Sequence, residues 1–115
     1  MELVFVESRL FTRLLPDYMS DEDFRQMQQI LMDNPVRGSI MPGTGGFRKL
    51  RWHDSRRGKG TRGGIRVVYY YLLSDDQVWL VTIYNKDEMI DLSAEEKRAL
   101  KRMLQTELAA RRTPQ

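Results

Sequence analysis

Lysine and arginine carry the candidate chemistry of this chain. Eight of its 19 basic residues, Arg48, Lys49, Arg51, Arg56, Arg57, Lys59, Arg62 and Arg66, fall between positions 48 and 66, with Asp54 as the one acid among them. The rest of the chain holds eleven basic and fifteen acidic residues, so a formal net charge of +3 conceals a polarised molecule. Cations concentrated beside glycine-rich loops suit a polyanion, phosphate above all. A charge run is more commonly a solvated face. What argues for a site is that these cations lie on consecutive strands and the connection between them, where they can converge.

The individual residues sharpen this. Phe47 to Trp52 reads as a strand, and its alternation puts Lys49 and Arg51 on one face. Arg66 interrupts an apolar strand, where an unpaired charge is costly. It is either a structural salt bridge to a helix acid or a rigidly mounted phosphate clamp, for which the planar guanidinium is suited. Lys86 follows a strand end, from which a sheet can offer a cation to the same groove. His53 is the one imidazole, a surface residue or an aid to acid–base chemistry. Gly58 to Gly64 satisfies G-x-G-x-x-G, but a strand follows it rather than a helix, so a dinucleotide site is rejected. The segment reads as a cationic loop or a plain hairpin connection. Trp52, Tyr69, Tyr71 and Trp79 read as core aromatics, while Tyr70 and Tyr84 are candidates for stacking a base.

Other chemistries are excluded by composition. There is no cysteine and one histidine, so neither a disulfide framework nor a metal-ligand cluster is expected. No Ser/His/Asp or Cys/His set is available. No apolar run approaches the ~20 residues of a membrane-spanning helix, and the start, Met1-Glu2 before an alternating segment, lacks the pattern of a secretory signal. A cytoplasmic protein without membrane association is the expectation, as one domain over positions 1–115.

The elements that must position the cations follow from patterning. Leu3 to Val6 predicts a first strand. Ser8 to Leu15 predicts a short helix ended before Pro16, and Ser20 to Asp33 a capped, stronger one. Gly38 to Gly46 reads as a loop. Phe47–Trp52, Ile65–Leu73 and Val78–Tyr84 form an antiparallel meander. Ser93 with Glu96 opens a final helix, whose tail from Arg111 to Gln115 should fray. The order β-α-α-β-β-β-α makes an α+β domain: a small antiparallel sheet, mixed by its N-terminal strand, packed by two N-terminal helices and a C-terminal helix.

Three blocks together carry a resemblance. Gly43-Thr44-Gly45-Gly46-Phe47-Arg48-Lys49-Leu50-Arg51 is the first. Gly58-Lys59-Gly60 with Arg62-Gly63-Gly64, Arg66-Val67-Val68 and Tyr69-Tyr70 is the second. Thr82-Ile83-Tyr84, Lys86, Glu88-Met89 and Asp91-Leu92 make the third. In this order they resemble the RelE/HigB superfamily of bacterial type II toxin–antitoxin toxins, in particular its HigB-like branch, over about Leu3 to Leu104.

The resemblance implies a RelE-like sheet with helices on one side, and a ribosome-dependent, metal-independent endoribonuclease that cuts mRNA. Its chemistry is attack of a 2′-hydroxyl on the adjacent phosphate, with basic side chains stabilising the charge that builds there. Lys49, Arg51, Arg66 and Lys86 correspond to the catalytic cations. Arg48, Arg57, Lys59 and Arg62 correspond to RNA contacts. No cofactor is implied. The implied partners are a cognate helix-turn-helix antitoxin, the 70S ribosome and mRNA, with operator DNA reached only through the antitoxin. Relatives place an arginine directly after the turn lysine and a tyrosine several residues on; here those places read Asp87 and Leu92-Ser93. The acid and base are therefore left open among Lys49, Arg51, Lys86 and His53. Two other functions share the features: a ParE-like gyrase inhibitor of the same fold, and a non-enzymatic RNA- or ribosome-binding module.

Overall fold

A computed structural model describes residues 2–54 and 64–112. Strand β1 (Val4–Glu7) leads into helices α1 (Arg9–Tyr18) and α2 (Asp21–Asp33). Strands β2 (Ser39–Ile40), β3 (Arg48–Trp52), β4 (Ile65–Leu72) and β5 (Gln77–Asn85) follow, and helix α3 (Ala94–Arg112) closes the described chain. Serines begin all three helices. Ser8 and Ser20 accept from the backbone N–H three residues on, at 3.0 and 3.1 Å. Ser93 and Glu96 exchange bonds reciprocally at 3.0 and 2.8 Å, so the helix starts read from sequence hold.

The ends differ from expectation in two places. Helix α1 runs through Pro16 to Tyr18. Pro16 offers no N–H to the Thr12 carbonyl, so the helix continues at the loss of one backbone bond, and continuing lets Tyr18 pack on the core. Of the tail expected to fray, residues 113–115 lie outside the described residues, while Arg111 and Arg112 continue α3 and Arg111 is held in place. It pairs with Glu107 and Asp75 and lies 5.2 Å over the Trp79 ring.

The sheet has five strands in the order β1-β5-β4-β3-β2. β1 runs parallel to β5, and the remaining pairs are antiparallel. β2 lies within the segment read as a loop. At two residues it is too short to show an alternating pattern, and pairing with Arg48 and Lys49 is what defines it. Central β4 is buried along nearly its whole length, which accounts for its continuous apolar run.

Helices cover both faces of the sheet, not one. On the first face Phe11, Met27 and Leu31 of α1 and α2 pack against Leu50, Trp52, Val67 and Leu80. On the second, Leu104 of α3, with Leu100 and Leu108, packs against Phe47, Val68 and Trp79. The reason lies in the strands: the face with the cations also carries this apolar stripe, which must be covered. A bulge helps to make it. Val68 pairs with Thr82, but Tyr69 pairs with Leu80, leaving Val81 extra. The extra residue reverses the alternation and brings Trp79 to the same face as Tyr84.

The turn before β3 sets where Lys49 begins. Thr44 is buried; its hydroxyl donates to Met41 O at 2.7 Å and accepts from Phe47 N at 3.0 Å. Gly46 adopts φ 126°, which a side chain would resist. Gly38 is needed for space: a Cβ there would lie 2.8 Å from Tyr69 Cε1. The Tyr69 hydroxyl fastens this loop, accepting from Gly38 N at 2.9 Å and donating to Pro35 O at 2.8 Å.

Candidate nucleic-acid interface

Strand register brings the cations together. Arg51 lies opposite Arg66, which lies opposite Tyr84; one row along, Lys49 lies opposite Val68 and then Thr82. Direct cross-strand partners share a face, so Lys49, Arg51 and Arg66 project from the α3 side of the sheet. Two arginines directly opposite one another repel, an arrangement that an anion between them relieves.

Their environments differ. Arg51 is exposed, whereas Arg66 is only 4% exposed and donates to Ile65 O at 3.1 Å. Burial first, and then the Arg51 charge, hold the Arg66 guanidinium below its ordinary range, with Tyr84 opposing them. Lys49 is half-buried and lies 3.8 Å from Asp91. Burial works to raise the Asp91 carboxyl. The Lys97 hydrogen bond, the Leu92 N–H and the Lys49 and Lys97 charges outweigh it and keep Asp91 below the usual carboxylate range. A polar groove of about 340 Å³ runs beside these residues, lined by Arg37, Gly38, Ser39, Lys49, Leu50 and Arg51.

Tyr84 is no stacking platform. The residue is 3% exposed, and its hydroxyl is buried with no hydrogen-bond partner among the described residues. Burial, aided by Asp91 and Glu96 and opposed by Arg66, pushes this phenol up to about 12. A phenol raised from 10.0 keeps its proton longer when folded, so stability is full below pH 10 and is lost as pH rises towards 12. The loss expected from Tyr84 is of order 2–3 kcal/mol. Tyr69, raised by burial although the Gly38 hydrogen bond and the Arg48 charge oppose it, adds a loss of the same sign. Tyr84→Phe is therefore expected to be near neutral at pH 7 and to flatten, without abolishing, the alkaline fall in urea-unfolding stability. An unchanged alkaline slope would show that Tyr84 is ionised as easily in the folded chain as in the unfolded one.

Lys86 is exposed in the turn after β5, and its backbone N–H donates to Gly64 O at 3.1 Å. Asn85 builds this turn. Its Nδ2 donates to buried Asp54 Oδ2 at 2.6 Å, and its Oδ1 accepts from Asp87 N at 2.8 Å. Glu88 accepts from Asn85 N at 3.2 Å and from the Tyr18 hydroxyl at 2.8 Å. Ile65 pairs with both Trp52 and Asn85, so the turn sits at the same end of the sheet as Arg51 and Arg66.

Two expected residues are directed elsewhere. Arg48 projects from the opposite face and donates to Val36 O at 3.1 Å and Gly38 O at 2.8 Å, where it fastens the loop after α2. The His53 imidazole faces α2, with Nε2 3.5 Å from Asp23, and its ring lies 5.0 Å from that of Trp52. Arg57, Lys59 and Arg62 lie outside the described residues. Sequence reasoning missed Asp54, Asn85, Asp91 and Lys97. Asp91 and Lys97 are distant from the basic run, and only the fold over of α3 brings them to it. Among the described residues, no group of three or more His, Cys, Asp or Glu could hold a metal ion, and no helix is long and apolar enough to cross a membrane.

No family model matches the sequence. Among solved structures, the E. coli toxin RelE, a double arginine-to-alanine mutant in the free state, matches with a TM-score of 0.53 at 12% identity. The match covers 86% of this chain and 96% of that one. The chain has a RelE-like fold. At that identity the likeness lies in backbone path, so the argument for chemistry rests on this chain's own cations.

Proposed function

We propose that this chain is the toxin of a type II toxin–antitoxin module, in the HigB-like branch of the RelE/HigB superfamily, and acts as a ribosome-dependent mRNA endoribonuclease. The observation that supports this most is the row Arg51–Arg66 with Lys49 beside it, three cations on one face of a RelE-like sheet. In this reading the 2′-oxygen of one nucleotide attacks the adjacent phosphorus and gives up its proton. The bond from phosphorus to the 5′-oxygen breaks, and that oxygen takes up a proton. The products are a 2′,3′-cyclic phosphate and a 5′-hydroxyl.

Arg66, rigid within β4, holds the non-bridging oxygens bidentately. Lys49 and Arg51 stabilise the additional negative charge of the transition state. Lys86, in the exposed turn at the same end of the sheet, reaches the departing 5′-oxygen. No metal takes part, because the side-chain cations supply the positive charge. The reading places the protein in the cytoplasm with a helix-turn-helix antitoxin that covers the cations or bars the ribosome, and operator DNA is bound through that antitoxin. Contacts to RNA by Arg57, Lys59 and Arg62 belong to the same proposal.

The test is induction in bacteria with primer extension on a reporter mRNA. Growth arrest with discrete cuts that require translation is expected. Arrest with intact mRNA points instead to gyrase, read by supercoiling assays, and absence of arrest to a binding module.

A further inference from the structure

Two lysines from different elements share one carboxylate on the cation face. Lys49 Nζ of β3 lies 3.8 Å from Asp91 Oδ1, and Lys97 Nζ of α3 lies 2.8 Å from Asp91 Oδ2. Each ammonium thus approaches a separate oxygen of one planar anion. The two non-bridging oxygens of a phosphodiester present themselves in a closely similar way. We propose that Lys49 and Lys97 form a two-lysine clamp for a backbone phosphate of RNA, which Asp91 fills as an internal anion until RNA displaces it. The proposal rests on the RNA reading above and extends the binding surface from the sheet onto α3.

Several features suit a clamp better than a simple surface ion pair. The Lys49 contact is longer than a hydrogen bond, so Lys49 is drawn towards Asp91 without being saturated. The Asp91 side chain is 39% exposed, leaving it a path into solvent, while those of Lys49 and Lys97 are 24% and 21% exposed. The packed lysine stems keep the ammonium groups in place, while the carboxylate leaves by giving up its bonds to Lys97 and to Leu92 N, the latter at 2.8 Å. The exchange swaps one anion for another on the same two ammonium groups, so neither lysine is left unpaired. Among the described residues the buried Tyr84 hydroxyl has no hydrogen-bond partner, and it feels both Asp91 and Arg66. An uncommitted donor therefore lies next to the clamp, towards the Arg51–Arg66 row. In the free protein Asp91 also moderates repulsion between Lys49 and Lys97.

The test is fluorescence anisotropy with a 2′-O-methyl RNA oligonucleotide, which cannot be cut because its nucleophile is blocked, titrated over a range of salt. Lys97→Gln is expected to weaken binding several-fold and to shallow the slope of log K against log salt by about 0.7, the value of one single-strand phosphate contact. Lys97→Arg should retain both. Asp91→Asn should tighten binding more than Glu95→Gln, which makes the same charge change at an exposed site on α3. An unaltered slope for Lys97→Gln, or an Asp91→Asn effect no larger than that of Glu95→Gln, overturns the clamp. If Lys49→Gln and Arg51→Gln weaken binding while Lys97→Gln does not, the clamp fails and the RNA reading stands. If the wild type shows no salt-dependent binding, both fail. Circular dichroism melts confirm that each variant is folded.

Discussion

Arg66→Met is expected to slow ribosome-dependent cleavage by about 10²–10³-fold, the usual effect of removing one preorganised donor from a developing oxyanion. The methionine fills much of the volume of the arginine stem, so β4 keeps its packing and the loss reports on charge and fork geometry. Arg66→Lys is the informative companion. It retains the charge but replaces a planar, bidentate donor with a point charge on a flexible stem. Its rate should fall between the two. If the guanidinium were only structural, Arg66→Met would cleave at the wild-type rate once its folding was confirmed. Burial makes this position suited to the task. At 4% exposure the side chain has few alternative rotamers, and little reorganisation accompanies the reaction. Its depressed pKa, caused first by burial and then by Arg51, also shows that the charge is held there at a cost. An arriving phosphate reduces that cost, so anions should raise the melting temperature of the wild type more than that of Arg66→Met.

Asn85→Ala is expected to lower unfolding stability by about 2–3 kcal/mol, read by urea denaturation, and to reduce cleavage as well. Both arms of the amide are in use. One holds the buried Asp54 carboxylate at 2.6 Å, and the other caps the turn at Asp87 N at 2.8 Å. Removing the side chain withdraws a donor from a buried carboxylate and frees the turn that carries Lys86. Asn85→Asp separates these effects. It preserves the acceptor for Asp87 N but sets a second carboxylate against Asp54, so it should destabilise at neutral pH and recover as pH falls. Full stability for Asn85→Ala would mean that the Asp54 contact is dispensable, and that the Tyr18–Glu88 bond and the backbone bonds of the turn suffice to hold it.

The architecture explains why the cations are strong where they stand. α1 and α2 seal one face of the sheet, and α3 covers the apolar stripe on the other. Lys49 and Arg51 line the groove beside β2 and β3, and Arg66 is buried opposite Arg51 on β4. The apolar cores packed against the sheet lower the dielectric beneath the three charges and strengthen their field.

Much of this was legible in the chain. Alternation through Phe47–Trp52 put Lys49 and Arg51 on one face, serine caps marked the helix starts, and an apolar run marked β4 as a strand of an antiparallel meander. These are local properties, set by a period of two or 3.6 residues and by bonds to near neighbours. The identity of the cations, and the unusual arginine inside β4, needed nothing more.

What only the tertiary structure decided is non-local. That β1 pairs in parallel with β5, and that Arg66 falls opposite both Arg51 and Tyr84, depends on which strands meet and in what register. The bulge at Val81 reverses the alternation, so no counting along β5 could place Trp79 and Tyr84 together. Arg48 and Lys49 are neighbours in a basic run, yet the pleat sends one to the loop after α2 and the other to the groove. Asp91 and Lys97 join the cations because the leucines of α3 are drawn over Phe47, Val68 and Trp79. The chain specifies which charges it carries; the hydrophobic effect, by choosing which faces are covered, decides which of them meet.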